Sequence, residues 1–191
     1  MSAQARAIEA YLRAKDENRP VLMQEAFDAG ASLAIVVTSG AITFPPSTQG
    51  REAITDVLVR EFGATWENVR TLCLSPPPRA DDDACSCRWL VGMSSKADRT
   101  VRVGVGRYDW RFRAQEPRLV SQLTITIDAI QALAPEALPV VAAWLHSLPW
   151  PWCPLRRAFA GAPRLPELAP LLARARDGGR APARATRRRE G

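Results

Sequence analysis

The hydrophobic period of this chain falls from helical spacing to two near Gly63. Upstream, apolar side chains recur every three or four positions: Ala7, Ile8, Tyr11 and Leu12 share one side of a segment whose other sides carry Arg6, Glu9 and Arg13. Downstream they alternate, most clearly where Tyr108, Trp110 and Phe112 interleave with Arg107, Asp109 and Arg111. The first period suits an amphipathic helix and the second a strand with one face buried. Helices gathered early and strands gathered late define an α+β fold, with the helices packed on one face of a curved antiparallel sheet.

Local signals set the elements. A helix is predicted over 3–15, broken by the polar run ending at Pro20, which can itself open a short helix over 21–27. Residues 31–38 are β-branched and apolar, a buried strand. Residues 43–50, with adjacent prolines, form a loop, and 51–62 a third helix with Gly63 as its left-handed cap. Strands are predicted over 66–74, 85–95, 100–113 and 119–128. Gly104 and Gly106 inside the third of these mark a bulge, a bend or a close approach. The acidic run Asp81–Asp83 reads as a solvated hairpin tip. A last helix over 135–148 leads into Trp150-Pro-Trp-Cys-Pro154, which closes a domain spanning 1–153. Residues 154–191 read as an Arg-, Pro- and Ala-rich tail, with a short helix over 165–175 and disorder from Arg176.

Charge separates these two parts. Ten of the 26 basic residues and three of the 20 acids lie in 154–191, so the tail carries +7 and the body −1. The high pI is therefore a property of the tail. Arg184, Arg187, Arg188 and Arg189 allow only weak, salt-sensitive contact with nucleic acid, because no aromatic residue follows Phe159 to stack on bases. The four cysteines, Cys73, Cys85, Cys87 and Cys153, lack a second metal-ligand pair, and the single histidine, His146, reads as a packed helix residue. Buried reduced thiols, no metal and no cofactor are expected. No secretory signal and no span long enough for a bilayer are visible, so the expected compartment is the cytoplasm, with no membrane partner.

The element order resembles the NTF2-like superfamily, which includes SnoaL-like and ketosteroid-isomerase-like proteins. Four stretches carry the resemblance, over roughly residues 3–130: Ile8-Glu-Ala-Tyr11-Leu; Glu25-Ala-Phe27-Asp-Ala-Gly-Ala-Ser; Gly50-Arg-Glu-Ala-Ile54; and the long final hairpin from Tyr108. The resemblance implies a sheet curled into a cone around the helices, an apolar pocket at its open end, and a homodimer formed through the sheet. It also implies that a helix-1 tyrosine and a polar hairpin residue act as hydrogen-bond donors, positions that match Tyr11 and Tyr108.

Isomerase-like chemistry further requires a base near the reacting carbon. The matching stretch here, Ser39-Gly-Ala-Ile-Thr-Phe-Pro-Pro, holds no acid. Asp109 is sent to the opposite face by alternation unless the Gly104/Gly106 irregularity shifts the register, and Asp28 precedes the strand. The reading is thus a protein that binds a small apolar ligand in its cone, or serves as a dimeric scaffold. Tyr11, Tyr108, Trp110, Trp66 and Trp89 are its candidate ligand-binding residues. The alternative is an isomerase or lyase acting on a polyketide- or steroid-like substrate. Trp144, Trp150 and Trp152 would close the cone mouth or form an interface.

Overall fold

The computed structural model describes residues 1–38 and 47–177. Helix α1 (Ala3–Asp16) opens with the Ser2 hydroxyl accepting the Ala5 N–H at 3.1 Å. Capping of this kind satisfies a donor that the first turn otherwise leaves free. A 3-10 turn at Pro20–Leu22 runs into α2 (Met23–Ala26). Strand β1 (Phe27–Val37) starts earlier than predicted, because the Asp28–Gly30 stretch lies within a register shift and not ahead of the strand. The short β2 (Thr48–Gln49) pairs with it inside what reads as pure loop.

The third helical segment is longer than predicted. It runs without a break as α3 (Arg51–Thr55), a π-helical turn (Asp56–Glu61) and α4 (Phe62–Thr65). Gly63 is therefore not a left-handed cap. Its missing Cβ makes room for Asn18, whose side-chain carbon would lie 2.6 Å from a Cβ built there.

Strands β3 (Trp66–Cys73), β4 (Ala84–Ser95), β5 (Val101–Phe112) and β6 (Val120–Leu133) complete a six-stranded sheet of order β2-β1-β6-β5-β4-β3. The expected antiparallel sheet is in fact mixed, since β1 runs parallel to β6, with Leu33 opposite Leu123. Strand β6 passes the predicted stop at Asp128 because the ladder steps there: Gly106 pairs with Ile127 and Val105 with Ala129, leaving Asp128 as the extra residue.

The sheet separates two apolar clusters. On one face Trp89, Tyr108, Trp110, Leu123 and Leu33 meet Ile8, Tyr11 and Leu12 of α1 and Ile54, Leu58 and Val59 of the third helical segment. On the other, Leu72, Leu90, Val103 and Val105 are covered by α5 (Leu138–His146), α6 (Leu155–Ala160) and α7 (Leu168–Asp177). The part of 154–191 read as tail is thus folded as far as Asp177: Phe159, Leu168, Leu171 and Ala175 are buried against the sheet. The arginines of the expected nucleic-acid contact, at 184 and 187–189, lie outside the described residues. No helix among the described residues is long and apolar enough to cross a membrane.

Candidate functional site

Strand pairing assembles one row of aromatic side chains. Trp89 stands opposite Cys73 and Gly106, Tyr108 opposite Cys87 and Ile125, and Trp110 opposite Cys85 and Leu123. Directly paired residues share a face, so all three rings point toward α1. Tyr11 meets them from the helix, three residues from Ile8 and four from Lys15 on the same buried side. Its ring lies 5.5 Å from Trp110, 5.7 Å from Phe27 and 6.0 Å from Tyr108, each edge to face. Tyr108 closes the group at 5.2 Å from Trp110 and 5.7 Å from Trp89. Such pairs add about 0.5–1.5 kcal/mol each beyond the area they bury.

Three polar atoms of this cluster are left over. The Tyr11 hydroxyl and the indole N–H groups of Trp89 and Trp110 are buried without a hydrogen-bond partner. The Tyr11 oxygen faces Tyr108 and the Trp110 N–H faces Cys87, but neither contact reaches hydrogen-bond geometry. A buried donor without a partner is destabilising by roughly 1–3 kcal/mol. Burial pushes both phenols well above the usual tyrosine value, with the nearby Asp16 charge adding to the effect. Both therefore stay protonated and can donate.

Among the described residues no free carboxylate or imidazole stands beside them. Asp109 keeps to the opposite face, where Arg107 holds it at 2.9 Å, so the ladder step at Gly106 does not turn it inward. Asp28 is tied to Arg113 at 2.6 Å and to the Gly30 N–H. His146 is exposed at the end of α5, not packed as expected, because the apolar side of that short helix is carried by Val141, Trp144 and Leu145. One acid does lie close, and it was not legible in the sequence. Asp16, at the end of α1, accepts from the Lys15 ammonium at 2.6 Å, from the Thr71 hydroxyl at 2.8 Å and from the Thr71 N–H at 2.6 Å. Lys15 also donates to the Thr71 hydroxyl and lies over the Phe62 ring. This is a buried network in which Asp16 accepts three hydrogen bonds, and it ties α1 to β3.

Trp66 is not brought to the cluster. It pairs with Ser95 at the far end of β3 from Cys73, and its ring faces Arg102. The three C-terminal tryptophans divide: Trp150 and Trp152 pack against the inner cluster, with their indole N–H groups also buried and unpartnered, and Trp144 does not. Trp144 packs on the outer face and donates to the Ala158 carbonyl at 2.8 Å. The Trp150–Cys153 stretch extends the sheet at the edge of β3, where Cys73 N–H donates to Pro151 and Cys153 N–H to Cys73. The described residues also form surface grooves, one of which reaches Trp110 and Cys85. That groove, of about 440 Å³, runs along Ser86, Asp109, Arg111, Gln122 and Thr124; another is lined by Glu67, Arg99 and Glu136. Among the described residues no group of three or more His, Cys, Asp or Glu side chains is placed to hold a metal ion.

Comparison with known proteins agrees on architecture. No protein-family model and no curated protein matches the chain. Among solved structures, it is similar to a candidate isomerase from Rhodopseudomonas palustris, with 15% identity, 68% of this chain and 91% of that one covered, and a TM-score of 0.55. It is also similar to the hexachlorocyclohexane dehydrochlorinase LinA-type3 from Novosphingobium barchaimii, with 11% identity, 68% and 86% covered, and a TM-score of 0.53. A computationally designed 17-OHP binder matches over 70% of this chain and 100% of its own, at 11% identity and a TM-score of 0.54. The likeness is one of fold: a curved, unclosed six-stranded sheet wrapped around helices. The chain has the NTF2-like fold.

Proposed function

We propose that this protein binds a small, largely apolar molecule bearing a hydrogen-bond acceptor such as a carbonyl, held among Tyr11, Trp89, Tyr108 and Trp110. The observation that carries this reading is the convergence of unpartnered donors, the Tyr11 hydroxyl and the Trp89 and Trp110 indole N–H groups, within one aromatic cluster. A site lined by donors, whose nearest charges, Lys15 and Asp16, are paired with each other, favours a neutral acceptor, and it disfavours cations and ligands that must themselves donate. Binding without chemistry is the better reading because Asp16 is engaged by Lys15 and Thr71, and Asp28 and Asp109 are paired elsewhere. The designed 17-OHP binder is a precedent for one fold of this shape holding a small ligand.

The test is a calorimetric titration of the full chain with a flat aromatic ketone, acetonaphthone, and with its hydrocarbon counterpart, ethylnaphthalene. The ketone is expected to bind at least about tenfold more tightly, with Tyr11→Phe removing most of that margin. Equal affinity for the two compounds, or binding of neither, contradicts the proposal.

A further inference from the structure

Cys73 and Cys87 are free, buried thiols on adjacent strands, and their sulfurs lie 3.6 Å apart. Cys73 is opposite Trp89 on the neighbouring strand, and Cys87 is two residues before Trp89, so the pair spans the β3–β4 ladder diagonally on its inner face. The other two thiols are placed differently. Cys85 is half-buried near the open end of β4, and Cys153 turns to the outer cluster, with its sulfur toward the Pro154 carbonyl.

We propose that Cys73 and Cys87 form a peroxide-sensitive dithiol that closes to a disulfide across β3 and β4. The sulfurs need to approach by only about 1.6 Å to reach bonding distance. Cys73 is the last residue of β3 and its backbone is held by Pro151 and Cys153, so the approach is made by rotation of the two cysteine side chains. The chemistry balances with hydrogen peroxide as oxidant. The Cys87 thiolate attacks one peroxide oxygen, the O–O bond breaks, and the departing hydroxide takes up the proton Cys87 released, giving water and a sulfenic acid. The Cys73 sulfur then attacks the Cys87 sulfur, the S–S bond forms as S–O breaks, and the leaving hydroxide takes the Cys73 proton as a second water. Two electrons pass from the thiol pair to the peroxide. The environment favours Cys87 as the first nucleophile: once ionised it accepts from the Cys73 S–H, which holds it below the usual cysteine value against the opposing effect of burial. Cys85, pushed up to about 12 mainly by burial, stays protonated.

This inference is independent of the ligand reading. Full-length protein is treated with hydrogen peroxide, and intact mass, free-thiol count and non-reducing peptide maps are recorded. The expected result is a mass loss of about 2 Da, reversed by dithiothreitol, a fall from four free thiols to two, and a single cross-linked peptide joining Cys73 to Cys87. Cys73→Ala and Cys87→Ala are each expected to abolish the cross-link, and Cys85→Ala to leave it. Because the wild-type map alone decides the pairing, a variant that misfolds does not remove the test. Retention of four thiols, a cross-link joining any other pair, or conversion of Cys87 to the sulfinic acid without a cross-link would overturn the proposal.

Discussion

The indole ring of Trp89 lies directly across Gly106: a Cβ at that glycine would sit 2.4 Å from the ring and 2.0 Å from the Thr126 carbonyl oxygen. The absent side chain leaves room for the Trp89 ring, which is tilted by 34° to that of Tyr108. Gly106→Ala is therefore expected to destabilise the protein by about 1–3 kcal/mol or more, since one of the colliding atoms is backbone and cannot swing aside. Gly30→Ala, whose new Cβ would meet only the Asp28 carboxylate at 3.6 Å, is the matched control and is expected to change little. Urea denaturation of the two variants measures the difference.

The chain contains two tyrosines, and both belong to the cluster. Burial raises both phenols in the folded state. A group with a raised folded value contributes its full stability below the unfolded value, about 10 for a phenol. That stability is lost as pH rises from there toward the folded values, because only the unfolded chain releases protons in this window. Stability is therefore expected to fall above about pH 10. Phenolate absorbance should appear together with loss of far-ultraviolet circular dichroism, not before it. Phenolate absorbance growing while the fold is intact would show that the hydroxyls are reached by solvent.

Lys15 and Asp16 keep only 7% and 6% of their side-chain surface in contact with solvent. Asp16→Ala leaves the ammonium buried without its counter-charge and is expected to destabilise by about 3–5 kcal/mol. Adding Lys15→Met should recover much of the loss, since removing both charges relieves the desolvation. Glu17→Ala, which breaks exposed pairs with Arg13 and Arg19, should stay within about 1 kcal/mol. Denaturant midpoints of the four proteins decide it.

Phe159 is 6% exposed, packed among α5, α7 and the outer face of the sheet, with Arg176 over its ring. Phe159→Ala is expected to destabilise by about 3–5 kcal/mol. Val140→Ala, at a position 44% exposed on α5, should lie within about 0.5 kcal/mol of the parent. A neutral Phe159→Ala in thermal melts would mean that the segment after Pro154 is a loose appendage.

What the sequence made legible is what neighbouring residues decide among themselves. The Ile8–Tyr11–Leu12 spacing is enough to define α1, and the Tyr108–Trp110–Phe112 alternation places three rings on one face without any knowledge of the partner strand. The meeting of Tyr11 with that row followed from the resemblance. The rest depended on distant contacts. The parallel pairing of β1 with β6 joins segments some ninety residues apart, as in Leu33 with Leu123, and leaves no local trace. Gly63 reads as a helix stop because only the approach of Asn18 explains its presence inside the helix. Asp16 reads only as part of the polar run that breaks the first helix, because Thr71, its partner, lies 55 residues away. In the C-terminal segment, arginines and prolines dominate the composition and mask four buried positions, Phe159, Leu168, Leu171 and Ala175. Residue type alone groups Trp66 with the other tryptophans, and its place at the start of β3 separates it from Trp89 and Trp110.

The most direct test of the binding site is heteronuclear NMR of the six tryptophan indole N–H groups, followed as acetonaphthone is added. The expected result is a downfield shift of the Trp89 and Trp110 indole protons as each gains an acceptor, with Trp66 and Trp144 unmoved and ethylnaphthalene producing no such shift. Trp89 and Trp110 resonances that stay in place while the ketone saturates, or shifts confined to Trp66, Trp150 or Trp152, would contradict a ligand seated among Tyr11, Trp89, Tyr108 and Trp110.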